Sequence, residues 1–199
     1  MARIAVFASG RGSNLEALLQ DLAGDPAVEF ALVVSDRPDA MALERARGRG
    51  IPGVVARPDD PAALLDLLAR HAVEWIVLAG YLRRVPAEVV ARYRGRILNI
   101  HPALLPRFGG AGMYGERVHR AVLDAGEPVS GVTVHVVDEE YDHGPVVAQR
   151  EVPVEPGDTP ATLAARILKE EHALLPTVVR AAAEGRLHVE GGRAWIEEP

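Results

Sequence analysis

The chemistry of this chain gathers in two short stretches, Asn99-Ile100-His101-Pro102-Ala103-Leu104-Leu105-Pro106 and Asp142-His143-Gly144-Pro145. They carry an amide, an imidazole and a carboxylate. An amide N–H can donate to an oxyanion as it forms. An imidazole can carry a proton from a nucleophile to a leaving group. A carboxylate next to the imidazole favours its charged form, so Asp142 is expected to raise the pKa of His101. Together these groups suit the movement of a carbonyl unit from one amine to another. In an extended segment, positions i and i+2 share a face. Asn99 and His101 can therefore enter one cleft while Ile100 enters the core. Pro102 restricts His101 to extended geometry and opposes a helix there.

Three further groups of residues are candidates. Ser9-Gly10-Arg11-Gly12-Ser13-Asn14 lies between a strand pattern and a helix pattern. Free N–H groups at a helix start, helped by Ser13 and Asn14, make a seat for phosphate. Equally, the glycines can serve a tight βα turn whose Asn or Ser caps the helix. A dinucleotide site competes, because Asp36 follows the second strand at the distance a ribose carboxylate needs. Position 15 is Leu, not the third glycine, which weakens that reading. Glu170-Glu171-His172, on a long helix pattern, is either a solvated face or an acidic patch near a substrate amine. Asp142 with His143 and His135 invites a metal, but no HxH or HExxH spacing supports one, so no metal is expected.

These residues need elements to position them. Arg3 to Ala8, Phe30 to Ser35, Gly53 to Ala56, Trp75 to Ala79 and Ile97 to Ile100 read as short, fully apolar strands. Helical spacing appears at Leu15, Leu18, Leu19 and Leu22, over Ala40 to Arg49, over Pro61 to His71 and over Pro86 to Tyr93. Alternating apolar strands and helices predict an α/β fold, Rossmann-like, with a mostly parallel sheet covered on both faces. Ligands in such sheets sit outside the carboxyl ends of the strands. Ser9 to Asn14, Gly80 to Val85 and Asn99 to His101 all fall there. The second half changes style. Gly131 to Val137 alternates, and Val146 to Val152 reads as its antiparallel partner across an acidic link. A long helix from Asp158-Thr159-Pro160 to about Glu184 ends at Gly185 and is expected to kink at Pro176. Leu187 to Val189 and Ala194 to Ile196 predict a hairpin turned at Gly191-Gly192.

Composition narrows the class of function. A chain of 199 residues with 48% hydrophobic and 25% charged content reads as one soluble domain. A net charge of −6 opposes a nucleic-acid groove. No apolar run approaches the roughly 18 residues a membrane span needs. Cys is absent, so disulfides and thiolate metal sites are excluded. Met1-Ala2-Arg3-Ile4 runs directly into a strand pattern, so no signal peptide and a cytoplasmic location are expected.

Three motifs now resemble one family. Ser-Gly-x-Gly-Ser-Asn at 9–14, Leu-Asn-Ile-His-Pro-x-Leu-Leu-Pro at 98–106 and Asp-x-Gly-Pro at 142–145 are similar to the phosphoribosylglycinamide formyltransferases, folate-dependent enzymes of purine synthesis. The resemblance spans essentially the whole chain, including Glu-His-x-x-x-Pro at 171–176. The middle motif is shared with methionyl-tRNA formyltransferase and formyltetrahydrofolate deformylase. Each of those carries an extra domain for which 199 residues leave no room. The glycine-rich Phe108 to Gly115 resembles a longer variant of the family's loop.

The resemblance implies a formyl donor, 10-formyltetrahydrofolate, and an acceptor, glycinamide ribonucleotide, in a monomer or homodimer with no nucleic-acid or membrane partner. It implies one formyltransferase domain over 1–199, with a phosphate-binding half at about 1–100 and a folate and catalytic half at about 101–199. Asn99, His101 and Asp142 would be catalytic, with a protonated His101 donating to the oxyanion. Gly12, Ser13 and Asn14 would hold the ribonucleotide phosphate. Glu170 and Glu171 would lie along that substrate, Glu171 near its amine. Leu82, Arg83, Arg84, Val85 and Asn99 would border the folate. The loop of Asp138, Glu139, Glu140, Tyr141 and Asp142 would close over it, and Arg57 would reach its acidic tail. Two other readings stay open: hydrolysis of the same folate, and a Rossmann-type nucleotide-binding protein.

Overall fold

The computed structural model describes residues 1–198. Seven strands form one sheet: β1 (Ala2–Phe7), β2 (Val28–Ser35), β3 (Gly53–Val55), β4 (Trp75–Leu78), β5 (Ile97–His101), β6 (Val129–Val136) and β7 (Val146–Pro153). Their order is β3-β2-β1-β4-β5-β6-β7. The first five strands run parallel, whereas β6 is antiparallel to both β5 and β7. The strand order reverses between β1 and β4, which opens a crevice at the carboxyl ends of those strands.

The apolar strands are buried on both faces because successive side chains alternate. Ile4 and Val6 join one core cluster, and Ala5 and Phe7 join the other. The first cluster packs against α1 (Ser13–Asp21), α2 (Met41–Gly48) and α6 (Pro160–Ala183). The second packs against α3 (Pro61–Arg70) and α4 (Ala87–Arg92). Both faces are thus covered, as the sequence pattern predicts. Thr159 caps α6 in a reciprocal box with Thr162, and Pro160 takes the first turn, where a missing N–H costs nothing. The helix continues through the buried Pro176. It stops at Gly185, where Gly185 donates to Ala182 and Arg186 to Ala181, the Schellman pattern. Beyond it, β8 (Leu187–Glu190) and β9 (Arg193–Ile196) form the expected hairpin.

One helix lies outside the sequence reading. α5 (Glu116–Asp124) follows the glycine-rich loop and buries Val118, His119 and Val122. It is only nine residues long and follows directly on Gly115, so its periodic signal is short. Among the described residues, no helix is long and apolar enough to cross a membrane.

Candidate active site

The site begins with the register between β5 and β6. Asn99 lies opposite His135, and His101 lies opposite Thr133. Leu98 and Ile100 turn into the first core cluster, with Val132, Val134 and Val136 of β6. The polar residues of both strands therefore share the other face, where directly opposed side chains meet. The Asn99 Nδ2 lies 3.0 Å from His135 Nε2 and 3.3 Å from Asp142 Oδ1. Thr133 anchors the turn after His101: its hydroxyl donates to the Ala103 carbonyl at 2.6 Å and accepts from the Leu105 N–H at 3.1 Å.

His101 is pinned at both ring nitrogens. Its Nε2 lies 2.8 Å from the Phe108 carbonyl, and its Nδ1 lies 3.5 Å from Asp142 Oδ2. A carbonyl only accepts, so Nε2 carries a proton. Phe108 and Asp142 both have left-handed backbones, with φ of 57° and 53°. Such positive φ is strained for a side chain of either size, and it clusters at functional sites. Here it aims one carbonyl and one carboxylate at the same imidazole. Gly109 fits between them only because it lacks a Cβ, which would stand 3.0 Å from that of Asp142. The Gly110 N–H donates to Asp142 Oδ2 at 2.9 Å.

The charge on His101 differs from the sequence expectation. Burial, with only 3% of the residue exposed, holds its pKa below the ordinary imidazole value. Asp142 and the Phe108 carbonyl push it up, as expected, but do not overcome the loss of water. Burial therefore favours the neutral imidazole over the protonated one. Burial pushes Asp142 upward too. There the neighbouring imidazoles of His135 and His101 and the Gly110 N–H outweigh it, and its carboxyl stays below the usual range.

The facing wall comes from α1 and α6. Asn14 Nδ2 donates to Glu171 Oε2 at 2.6 Å, bridging elements 157 residues apart in sequence. Burial raises the pKa of Glu171 against the pull of that bond. Among the described residues, Asn14 Oδ1 has no hydrogen-bond partner and is buried. Gly12 precedes α1 at φ 68°, where a Cβ would stand 3.0 Å from Ala42. Its backbone shape alone thus requires glycine. No side chain caps α1, so the first N–H groups of this helix have no side-chain partner at its cap. Ser13 opens onto a shallow depression beside this end, shared with Glu16, Arg45 and His172. Arg45 there bonds the Arg11 carbonyl and Glu16.

Between the two walls lies a cleft of about 510 Å³, in the size range of small-molecule sites. Of the residues singled out from sequence, Asn14, Leu82, Arg83, Arg84, Val85, Asn99, His101, Asp138, Glu140, Tyr141, Asp142 and Glu171 line it. Five others lie elsewhere. Glu170 pairs with Arg150 at 3.2 Å in a half-exposed position on the outside of α6. Glu139 turns outward to Arg94 at 2.6 Å, while its carbonyl accepts from Arg84. Arg57 sits in a neighbouring depression with Asp36, Asp59 and Arg83, not in the cleft. Gly12 and Ser13 flank the cleft without lining it. Two histidines gain importance instead. His135 had only a weak metal reading, and among the described residues no three His, Asp or Glu side chains gather to hold a metal. His119, on the unforeseen α5, lines the cleft near His101; burial, then the charge of His101, lowers its pKa.

Comparison with known proteins agrees with this geometry. The sequence pattern of the Formyl transferase family matches residues 2–179. Phosphoribosylglycinamide formyltransferase of Bacillus subtilis is 39% identical over 188 residues, covering 90% of this chain and 94% of that one. The chloroplastic phosphoribosylglycinamide formyltransferase of Arabidopsis thaliana is 45% identical over 194 residues, covering 93% of this chain. This chain spans 66% of that plant protein's length. The crystal structure of glycinamide ribonucleotide transformylase 1 from Symbiobacterium toebii superposes with a TM-score of 0.91 at 42% identity, over 100% of this chain and 95% of the other. The chain therefore belongs to the formyl transferase family, among its phosphoribosylglycinamide formyltransferases.

Proposed function

We propose that this enzyme transfers the formyl group of 10-formyltetrahydrofolate to the amine of glycinamide ribonucleotide, giving formylglycinamide ribonucleotide and tetrahydrofolate. The observation that carries the reading is the meeting of two polar walls in one cleft. Asn99, His101 and Asp142 form one, and the Asn14–Glu171 pair beside a helix start forms the other. The first wall suits a formyl carbon and the second an amine tethered to a phosphate. On this reading the whole chain acts as one domain, the phosphate held by its first half and the folate and amine met by residues of both halves.

Glu171 and Asn14 Oδ1 offer two acceptors to the substrate amine and orient its lone pair toward the formyl carbon. The N-terminus of α1, with Ser13, receives the phosphate. Leu82 to Val85 and the loop of Asp138 to Asp142 border the folate. Attack forms a C–N bond and a tetrahedral oxyanion. The oxyanion takes the Asn99 N–H that otherwise rests on Asp142 at 3.3 Å, the longer of the amide's two contacts. One such donor contributes about 3–4 kcal/mol to the transition state.

The tautomer of His101 then defines a proton path. Its Nδ1 faces Asp142 and its Nε2 carries the proton. Asp142 takes the proton lost by the amine and passes it to Nδ1. The Nε2 proton goes to the departing folate nitrogen, which replaces the Phe108 carbonyl as its partner. One proton leaves the amine, one reaches the leaving group, and the C–N bond to the folate breaks. A neutral imidazole is required at the start, which matches the effect of burial on His101.

The test is a spectrophotometric assay with 10-formyltetrahydrofolate, run with and without glycinamide ribonucleotide. Tetrahydrofolate release that depends on the acceptor is expected. Equal release without the acceptor would make the enzyme a hydrolase and overturn the proposal.

A further inference from the structure

His135 does not line the cleft, and its side chain is only 2% exposed, yet it touches the amide on which the reaction depends. Its Nδ1 lies 3.0 Å from the carbonyl of Val136. A carbonyl can only accept, so in the neutral ring Nδ1 holds the proton and Nε2 presents a lone pair. That lone pair is 3.0 Å from Asn99 Nδ2 and accepts from it. The amide cannot be reversed. Its oxygen would then stand 3.3 Å from a carboxylate oxygen and face the imidazole lone pair, with no donor in either contact.

We propose that His135 is a positioning residue that fixes which end of the Asn99 amide faces the reaction. The inference rests on the formyl-transfer reading above. Asp142 also holds the amide, but that contact is the one the oxyanion displaces during turnover. His135, on the neighbouring strand and away from substrate, keeps its hold throughout. Register explains why it can: it stands directly opposite Asn99, on a strand whose alternate residues, Val134 and Val136, are locked in the core. Without an acceptor at this place the amide can turn over and set its oxygen against the oxyanion. Removing the partner that orients a metal-bound side chain typically costs about 10–100-fold in activity, and a comparable loss is expected here.

The test combines kinetics with spectroscopy. In the wild-type protein, ¹⁵N–¹H correlation spectra of the neutral ring are expected to show the proton of His135 on Nδ1 and none on Nε2. A neutral ring with its proton on Nε2 would overturn the proposal whether or not any variant folds. His135→Asn keeps a donor near the Val136 carbonyl but removes the acceptor. It is expected to lower kcat about 10–100-fold, with KM for both substrates within about twofold. His135→Gln extends an acceptor to the position of Nε2 and is expected to regain most of the loss. Adding His135→Asn to Asn99→Ala should cost nothing further, because one residue acts through the other. Wild-type kcat in His135→Asn, or losses that multiply in the double variant, would reduce His135 to packing. A wild-type protein that transfers no formyl group defeats the functional reading itself, and so is told apart from either result.

Discussion

The cleft contains the same pair of groups twice, an asparagine amide bonded to a carboxylate largely out of water, and the two pairs carry opposite biases. Asn99 meets Asp142 at 3.3 Å, and Asn14 meets Glu171 at 2.6 Å. The shorter bond does not give the more acidic group. Asp142 is held below the ordinary carboxylate range, whereas Glu171 is pushed above it. Both lose water. Asp142 accepts from both the Asn99 amide and the Gly110 N–H, while the amide of Asn14 acts alone at Glu171. The number of partners, not the quality of one, decides the charge. Two titratable groups whose surroundings drive them apart are suited to different tasks. Asp142 stays ionised to receive a proton, and Glu171 sits ready to meet a cationic or hydrogen-bonding amine.

The strongest test removes the ionised member. Asp142→Asn keeps size and shape but cannot accept the amine proton, and its side chain no longer favours the charged form of His101. Loss of general acid–base assistance is expected to lower kcat by about 10²–10⁴-fold, with the fold intact by circular dichroism. The pH profile sharpens the same point in the wild type. Doubly protonated His101 has no free Nδ1, so kcat/KM is expected to fall at acid pH. The midpoint should lie below 6.5, the ordinary imidazole value, because burial lowers the pKa of His101. A midpoint above 6.5 would mean that Asp142, not burial, governs the ring.

That balance marks the boundary of what the sequence could tell. Asn99 and His101 were legible because the period of a strand puts them on one face, and because strand ends in parallel sheets face the ligand. The neighbouring charge of Asp142 was legible as well. Its net effect was not, since burial is a property of the assembled loops and not of the motif. His135 stayed hidden for a similar reason. It reads as one more alternating position until β6 turns antiparallel and lays it against Asn99. His119 was masked by four glycines, Gly109, Gly110, Gly112 and Gly115, which made the approach to α5 look like loop alone. Arg57, Glu139 and Glu170 were expected in the cleft from their position in the chain alone, and they lie outside it. The partners that hold them outside the cleft, such as Arg94 and Arg150, are distant in sequence.

A second substitution tests the other pair, with a smaller effect on rate. Glu171→Gln keeps an oxygen to accept from Asn14 but removes the charge. A hydrogen bond to a charged group contributes roughly 1.5–3 kcal/mol. KM for glycinamide ribonucleotide is therefore expected to rise about tenfold or more, with kcat less affected. Stability should move the other way. The unfolded chain ionises this carboxyl near 4.5, and the folded chain does so at higher pH. As pH rises through 4.5, the unfolded state gives up its proton first and the native state loses stability, in full once the folded pKa is passed. Glutamine has no such loss. The melting temperature of the variant should exceed that of the wild type at pH 7, and the difference should vanish below pH 4.5. A lower melting temperature at pH 7 would mean that the charged pair stabilises the fold.

The smallest effect is expected one residue away. Glu170 precedes Glu171 on α6, and successive residues of a helix point about 100° apart. Glu171 enters the cleft, and Glu170 meets Arg150 at 3.2 Å with 39% of its side chain exposed. Exposed ion pairs contribute about 0.2–1 kcal/mol. Glu170→Ala should therefore leave kcat and both KM values within about twofold and lower the melting temperature only slightly. Should it instead raise KM for the acceptor as Glu171→Gln does, the amine would be responding to the summed field of an acidic patch. The Glu171 carboxylate would then lose its claim as a placed partner, and the contrast between the two asparagine–carboxylate pairs would fail at its second member.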